Sequence, residues 1–450
     1  MAEEKPFFLQ GNFAPVSEER TETQLEVLGA IPPELRGLYV RNGANPITGE
    51  SQHWFMGNGM VHGVRLEAGQ ARWYRNRYVK TPLLDDPDRQ RVSDQGEIDH
   101  RVSAANTHII GHAGRLLALE EGSFPFVLDD ELETLGCEDF GGKLQTAFTA
   151  HPKVCPKTGE LLAFGYGQLP PYLVYLRVSP EGKLVQSEEI SVPGPTMMHD
   201  FAITEHYALF MDLPVVFDLQ LALQNTMPFL WSDDYGARVG IMPRTGGNAD
   251  VKWFEVEPCY VFHGMNAYEE GGEVVFDVCR ANEMWRGGSE MATGETKLSF
   301  HRWRFDLASG TTKEETLEDI GVEFPRVADA RVGQPYRYGF TVGFDGVGEE
   351  PTINLLHKFD LHSGQRSSHS FGDARHPGEP VFVRAEGSDP NSDEGWIVTY
   401  VHDDTRNKSE LIILDATEMA KEPVARVLLP TRIPYGFHGS WIRDPGTQLS

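Results

Sequence analysis

The sequence FDLASG at residues 305–310 returns as FDLHSG at residues 359–364, and LDAT at residues 414–417 resembles the first half of both. The three aspartates, Asp306, Asp360 and Asp415, are 54 and 55 residues apart. Leu128-Asp129 resembles a shorter, earlier copy. A strand that ends in an Asp-x-x-Ser-Gly hairpin turn and recurs at this interval is typical of the blades of a β-propeller.

The rest of the chain has the same β character. Residues 297–305 alternate with a period of two, and residues 273–280 and 395–400 are short β-rich runs beside glycine or acidic residues. The best helix candidate is 218–225, although its leucines also fit a strand. Residues 286–294 and 386–395 have the composition of loops between strands. No shift in composition marks a second domain, so we expect one all-β domain over residues 1–450.

Composition excludes several partners. The formal net charge of -27 argues against nucleic acid and against electrostatic docking on anionic lipid. The first residues and the hydropathy of the chain lead us to expect neither a secretory signal nor a membrane-spanning segment. The four cysteines have no CxxC spacing, so we expect reduced thiols and a cytoplasmic protein. An apolar or neutral small molecule is the more plausible partner.

Four histidines, His151, His199, His263 and His438, each lie in an apolar or Gly/Pro-flanked run. They are spread over most of the chain, so they can share one metal only if the fold brings distant strands together. The innermost strands of propeller blades all approach one axis, which allows such a meeting. Taken singly, a histidine in an apolar strand is far more often a core or turn residue.

Four imidazoles together would suit Fe, Zn, Cu or Ni, so ligand type alone does not choose the metal. On an octahedral ion they would leave two positions open. Such rings usually donate their other N–H to carboxylates, and candidates stand at Glu121, Glu323 and Glu379. Taken alone, each of these glutamates is more often simply solvated.

Ordered motifs across nearly the whole chain are similar to those of the carotenoid cleavage oxygenases. The segments that carry this resemblance are AHP at 150–152, MMHDF at 197–201, VFHGMNA at 261–267 and GFHG at 436–439, preceded by IPPELRGLYVRNG at 31–43 and HWFMGNGMVH at 53–62.

The resemblance implies a seven-bladed β-propeller with non-haem Fe(II) on its axis. The expected ligands are His151, His199, His263 and His438. Glu121, Glu323 and Glu379 match the three glutamates that hydrogen-bond ligand rings in the family, and Thr107 matches the residue beside the vacant iron position.

The implied reaction is the cleavage of a conjugated C=C bond by O2 into two carbonyl products, with no organic cofactor or external reductant. The stilbene-cleaving branch of the family carries a lysine immediately before the first glutamate, whereas this chain has Glu120. Because a carboxylate would repel a phenolate, we favour a carotenoid or apocarotenoid, with a stilbene or related phenylpropenoid as the alternative. An isomerase and a metal-free binding propeller are further alternatives.

Two apolar groups of residues have a further expected role. Phe55, Phe262, Phe324 and Phe437 flank the ligand motifs and are candidates for the walls of a substrate tunnel or for ordinary core. The stretch 213–231 lies where family members carry an apolar patch at the tunnel mouth. It predicts peripheral contact with the inner face of a membrane, or else a buried helix or a dimer contact.

Overall fold

A computed structural model describes residues 5–224, 226–288, 296–345 and 352–444. Seven antiparallel sheets are arranged as the blades of a propeller, as the resemblance implies. We number the strands along the chain and number the blades from the sheet that contains the third strand.

Each blade is one antiparallel sheet of four to six strands in the described residues. Blade 1 comprises β1 (Arg20–Glu22), β3 (Gly37–Arg41), β4 (Met60–Glu67), β5 (Gln70–Tyr78) and β33 (Gly439–Arg443). Blade 2 comprises β6 (His108–His112), β7 (Arg115–Leu119), β8 (Phe126–Leu128) and β9 (Thr134–Cys137). Blade 3 comprises β10 (Lys153–Val154), β11 (Leu161–Tyr166), β12 (Leu173–Val178) and β13 (Leu184–Glu189). Blade 4 comprises β14 (Phe201–Ile203), β15 (Tyr207–Asp212), β18 (Arg238–Pro243) and β19 (Lys252–Glu255).

The remaining blades follow in the same order. Blade 5 comprises β20 (Tyr260–Glu270), β21 (Glu273–Ala281), β22 (Leu298–Asp306) and β23 (Thr312–Glu318). Blade 6 comprises β24 (Val322–Val327), β25 (Tyr338–Asp345), β26 (Thr352–Asp360) and β27 (Gln365–Ser370). Blade 7 comprises β2 (Glu26–Gly29), β28 (Arg375–Pro377), β29 (Val381–Arg384), β30 (Gly395–Asp403), β31 (Lys408–Asp415) and β32 (Ala425–Leu428). A separate two-stranded sheet pairs β16 (Val215–Phe217) with β17 (Phe229–Trp231).

Helices are short throughout the described residues. The α-helices are α1 (Pro82–Asp85) and α2 (Leu219–Leu223), and the 3-10 helices are Phe7–Leu9, Gly11–Phe13, Asn248–Asp250, Asp329–Arg331 and Ala416–Glu418. The N-terminus of α2 is capped by Asp218, whose carboxylate accepts the Leu221 N–H at 2.9 Å. The helix expected at 218–225 is therefore confirmed for residues 219–223, and residue 225 lies outside the described residues. None of the described helices has the length and apolarity needed to cross a membrane.

The expected strands and turns are also present. The run 273–280 lies in β21, residues 298–305 of the second run lie in β22, and 395–400 lies in β30. Residues 386–394 of the expected loop separate β29 from β30. The repeated aspartates all end the third strand of a blade: Asp306 ends β22, Asp360 ends β26 and Asp415 ends β31. Each Oδ1 accepts backbone N–H groups of the following turn. Residues 289–294 of the other expected loop lie outside the described residues.

The chain closes the ring by pairing its last described strand with its first long one. In blade 1, β33 pairs antiparallel with β3, from Gly37 opposite Arg443 to Arg41 opposite Gly439. The innermost strands of neighbouring blades touch: β14 contacts β20, β20 contacts β24, β24 contacts β29, β29 contacts β33, and β33 contacts β6. These innermost strands therefore lie side by side around the axis.

Candidate metal centre

The four predicted histidines converge because each belongs to an innermost strand or immediately precedes one. His151 lies two residues before β10, His199 and His438 lie two and one residues before β14 and β33, and His263 lies within β20. They come from blades 3, 4, 5 and 1, and each is 4–8% exposed. One candidate ligand atom from each ring lies within 4.8 Å of the other three.

The Nε2 atoms point at one another. Nε2 of His199 lies 3.0 Å from that of His151 and 3.3 Å from that of His263, and the His263–His438 distance is 3.1 Å. In a neutral imidazole whose Nδ1 carries the proton, Nε2 bears only a lone pair. Facing lone pairs repel, so a cation between the rings would stabilise this arrangement. The donor set therefore fits a metal ion such as iron.

Carboxylates hold the Nδ1 side of three rings. Glu323 Oε2 lies 2.5 Å from His263 Nδ1, Glu379 Oε1 lies 3.0 Å from His438 Nδ1, and Glu121 Oε1 contacts His199 Nδ1. These contacts favour the tautomer with the proton on Nδ1 and the lone pair on Nε2. The structure thus places all three predicted glutamates against the predicted histidines. Among the described residues, no carboxylate pairs with His151.

Burial keeps two of the rings neutral. Desolvation, followed by the neighbouring imidazoles, holds the pKa of His151 and that of His438 well below the usual value. At His263 burial lowers the pKa, but the charge and hydrogen bond of Glu323 outweigh it, so the net pKa is raised. Neutral imidazole is the form that binds metal.

Thr107 lies immediately before β6, the innermost strand of blade 2. Its carbonyl accepts the His438 N–H at 3.1 Å, and its hydroxyl donates to Asn106 Oδ1 at 2.9 Å. Asn106 is itself fixed by donating to the carbonyls of Phe55 and Gly57, both at 2.9 Å. The Thr107 hydroxyl is therefore already engaged and is not free to donate to a ligand.

Sequence reasoning missed two residues beside the centre, His108 and Tyr166. His108 follows Thr107, lies 5.2 Å from the His438 ring centroid, and makes a 2.8 Å hydrogen bond from Nδ1 to the Ala150 carbonyl. Burial lowers the pKa of His108 to about 3. The Tyr166 hydroxyl donates to Glu121 Oε2 at 2.5 Å. Their only sequence signal was position: His108 next to a predicted residue, and Tyr166 at the end of an apolar strand.

A central cavity of about 700 Å³ runs along the innermost strands and reaches three of the four histidines. Its lining includes His151, His263 and His438 together with Lys153, Asp200 and Arg326. The four phenylalanines proposed as tunnel walls do not line this cavity.

Those phenylalanines pack beside the histidines instead. The Phe262 ring lies 5.2 Å from His199, and Phe55 contacts both Phe262 and Phe437. Phe324 stacks on His263 at 5.4 Å. Its φ of +51° is a left-handed conformation that costs a bulky residue energy. This strained backbone places an aromatic face directly against a predicted ligand.

Glu120 does not present a free carboxylate. Its Oε2 lies 2.8 Å from an Arg91 guanidinium nitrogen, and its Oε1 accepts the Gly122 N–H at 3.2 Å. Burial raises the pKa of Glu120, but Arg91 and hydrogen bonds lower it further, so the net shift is downward. The charge that was expected to repel a phenolate is thus largely compensated.

A ring of blades around four buried imidazoles that could hold a metal ion defines the class as a β-propeller with a candidate metal site, and comparison with known proteins places it in a family. Residues 13–443 match the family model described as retinal pigment epithelial membrane protein. The chain is 38% identical to a carotenoid cleavage oxygenase of Mycobacterium tuberculosis, over 98% of both sequences.

Two solved structures also resemble this protein over nearly its whole length. A lignostilbene dioxygenase of Pseudomonas brassicacearum superposes with a TM-score of 0.88 at 31% identity, covering 98% of this chain and 100% of that one. A Synechocystis apocarotenoid oxygenase mutant superposes with a TM-score of 0.85 at 28% identity, covering 96% and 97%. The chain belongs to the carotenoid cleavage oxygenase family, as its motifs indicated, and is an oxygenase enzyme.

Proposed function

We propose that this protein is a non-haem Fe(II) dioxygenase that cleaves a conjugated C=C bond of a carotenoid or apocarotenoid. The observation that carries the proposal is the set of four buried imidazoles whose Nε2 atoms face one another while three glutamates hold their Nδ1 sides. His151, His199, His263 and His438 are the proposed iron ligands, and residues 1–450 form one domain around them.

The bound iron would supply activation of O2 next to the alkene. Glu121, Glu323 and Glu379 hold the ligand rings in one tautomer and orientation. Thr107, with its hydroxyl bonded to Asn106, adds no donor to the site. These residues therefore fix the positions of the ligands and add no acid, base or hydrogen-bond donor to the reaction itself.

The overall reaction balances without a further reductant. Both bonds of one C=C unit break, and each carbon receives one oxygen atom of O2, so that two carbonyl groups form. The alkene supplies the electrons. The protein has to hold one double bond of a long apolar molecule in place, and a misplacement of about 1 Å can cost on the order of a hundredfold in rate. The aromatic rings of Phe55, Phe262 and Phe437 provide an apolar surface beside His199.

A stilbene or related phenylpropenoid is the second candidate substrate. It is favoured by the pairing of Glu120 with Arg91, which removes the charge repulsion expected for a phenol, and by the close superposition of a lignostilbene dioxygenase. The carotenoid assignment is favoured by the higher identity to a carotenoid cleavage oxygenase over nearly the full length of both chains.

We also propose that the stretch 213–231 touches a membrane surface that holds the substrate. Leu219 and Leu223 of α2 are one helical turn apart and are 60% and 70% exposed. Exposed leucines on one helix face can insert shallowly into the interface of a bilayer. Sedimentation with neutral phosphatidylcholine vesicles should fall when both are changed to serine, and equal sedimentation of the variant would contradict the proposal.

One competition experiment tests the function. The iron-loaded protein is offered an apocarotenoid and 4-hydroxystilbene together under O2, and the products are identified by mass spectrometry. Shortened polyene aldehydes are expected. Aromatic aldehydes alone would establish the second candidate, and wild-type protein that cannot be loaded with Fe(II) would overturn both.

A further inference from the structure

An ion pair between a buried carboxylate and a partly buried lysine joins three of the four ligand segments. The Asp200 carboxylate, whose side chain is 2% exposed, lies 2.7 Å from Lys153 Nζ through Oδ1. The same Oδ1 accepts the Phe201 N–H at 2.7 Å, and Oδ2 accepts the Gly264 N–H at 3.0 Å. Asp200 follows His199, Gly264 follows His263, and Lys153 stands two residues after His151.

We propose that Asp200 and Lys153 are positioning residues for the metal centre. They fix the main chain of blades 3, 4 and 5 beside His151, His199 and His263. The proposal rests on the assignment of these histidines as iron ligands and adds residues that act through the ligand backbone rather than through the rings.

The His151 segment most needs such a restraint. His151 is the one predicted ligand that no described carboxylate orients through Nδ1. Its strand, β10, is also short, since only Lys153 and Val154 pair with β11. Two residue pairs hold a strand weakly against thermal motion. The Lys153–Asp200 pair ties β10 to the residue that directly precedes β14 of the next blade, which compensates for the missing carboxylate and the short strand.

A parallel contact on the other side of the centre supports this interpretation. Glu379 Oε2 accepts the Gly439 N–H at 2.8 Å, and Gly439 directly follows His438. Asp200 does the same for Gly264, which directly follows His263. In both cases a buried carboxylate accepts the N–H of the residue after a ligand, so the ligand's backbone position depends on an acceptor in a neighbouring blade.

The chain offers a matched control in the same two blades. Lys157 and Glu205 also pair across blades 3 and 4, at 2.6 Å, but their side chains are 51% and 42% exposed and they lie in the turns that follow β10 and β14. Removing this pair changes the same number of charges without touching a ligand segment. Exposed pairs contribute little to stability.

The experiment compares Asp200→Asn, Lys153→Met and Lys153→Arg with Glu205→Gln. Fe(II) affinity is measured by competition with a chelator, and the absorption spectrum of cobalt(II)-loaded protein reports the coordination geometry. We expect Asp200→Asn and Lys153→Met to weaken iron binding about tenfold, within the range for outer contacts of metal sites, and to change the cobalt spectrum. Lys153→Arg, which keeps the positive charge, should retain the wild-type iron affinity and cobalt spectrum. Glu205→Gln should alter neither the affinity nor the spectrum.

Two further measurements distinguish a loss of the positioning contact from a failure to fold and from a failure of the proposed function. Circular dichroism and thermal unfolding of the metal-free proteins identify any variant that fails to fold. Lys153, with a side chain 21% exposed, provides a milder change than Asp200. Wild-type affinity and spectrum in folded Asp200→Asn and Lys153→Met would overturn the inference, whereas a wild-type protein that binds no iron would overturn the proposed function instead.

Discussion

At the scale of single residues, the centre depends on which nitrogen of each imidazole carries the proton. A glutamate against Nδ1 leaves Nε2 as a lone pair, and it also makes the ring a better electron donor. Glu323 provides this contact to His263 at 2.5 Å, and Phe324 donates its backbone N–H to the same carboxylate oxygen at 2.9 Å. One side chain therefore orients a predicted ligand and the strained residue that stacks on it.

Replacing this carboxylate should weaken metal binding without unfolding the protein. We expect Glu323→Gln to lower Fe(II) affinity by roughly ten- to a hundredfold, because the amide keeps the shape but loses the charge. His263→Ala, which removes a ligand, should abolish stoichiometric iron. Metal analysis after dialysis against a chelator gives both results.

The matched control is Glu314→Gln, which changes a second His–carboxylate contact, to His301 at 3.3 Å, in the outer part of blade 5. It should leave iron content unchanged. Wild-type iron in the His263 variant would refute the assignment of that ligand.

At the scale of elements, the blades depend on turns that an aspartate closes. Asp360 Oδ1 accepts the N–H groups of His362 and Ser363, and the two carboxylate oxygens accept hydrogen bonds from Nε and Nη2 of Arg337, at 2.9 and 2.7 Å. Hydrogen bonds from Arg337, helped by those of the turn, outweigh burial, which raises the pKa of Asp360, and hold that pKa well below its usual range. The turn and the ion pair with Arg337 thus both depend on the charged Asp360 carboxylate.

Asp360→Asn should therefore destabilise the protein at neutral pH by about 1–2 kcal/mol, as expected for a charged hydrogen bond at a partly exposed site. A depressed pKa contributes stability above the unfolded value, about 4, and that contribution is lost as the pH falls through the folded value. The difference from wild type should accordingly shrink below about pH 4. Denaturation at pH 7 and pH 3 measures it.

Asp306→Asn is the matched control, because Asp306 closes the same turn in blade 5 without a guanidinium partner among the described residues. Its effect should be smaller. Equal losses in the two variants would show that the turn alone, and not Arg337, accounts for the stability.

At the scale of the whole molecule, the centre requires a closed ring. His438 stands one residue before β33, and β33 is held in place by β3 from near the start of the chain. The two strands approach closely at Gly37, where an added Cβ would come within 2.4 Å of the Ile442 carbonyl oxygen. A side chain there has to push the closing strand away.

We expect Gly37→Ala to destabilise the fold by about 1–3 kcal/mol, as overpacking does, and to lower iron content because His438 moves with β33. Gly287→Ala is the control, since nothing lies within 4 Å of a Cβ added there. Thermal unfolding and metal analysis measure both effects. If the Gly37→Ala protein were less stable but kept its iron, the metal centre would not depend on the pairing of β33 with β3, and the prediction would be wrong.

Much of the architecture follows from local chemistry that a sequence shows directly. The Asp turns at 306, 360 and 415 recur because a hairpin needs an acceptor for its N–H groups, and they mark the same position in blades 5, 6 and 7. Strands such as β22 are visible because alternation has a period of two. The order of the motifs indicated the family, and family membership in turn named the histidines and glutamates that the structure brings together.

Only the tertiary structure decided how these parts meet. The pairing of Glu120 with Arg91, the fifth histidine at His108 and the Lys153–Asp200 pair all join residues that no local pattern connects. The central cavity is likewise lined by a mixture of apolar and charged residues of the innermost strands and not by the phenylalanines that the motifs suggested. Periodicity and turn chemistry report only on neighbours along the chain, whereas these contacts exist because ring closure brings the starts of distant strands to one axis.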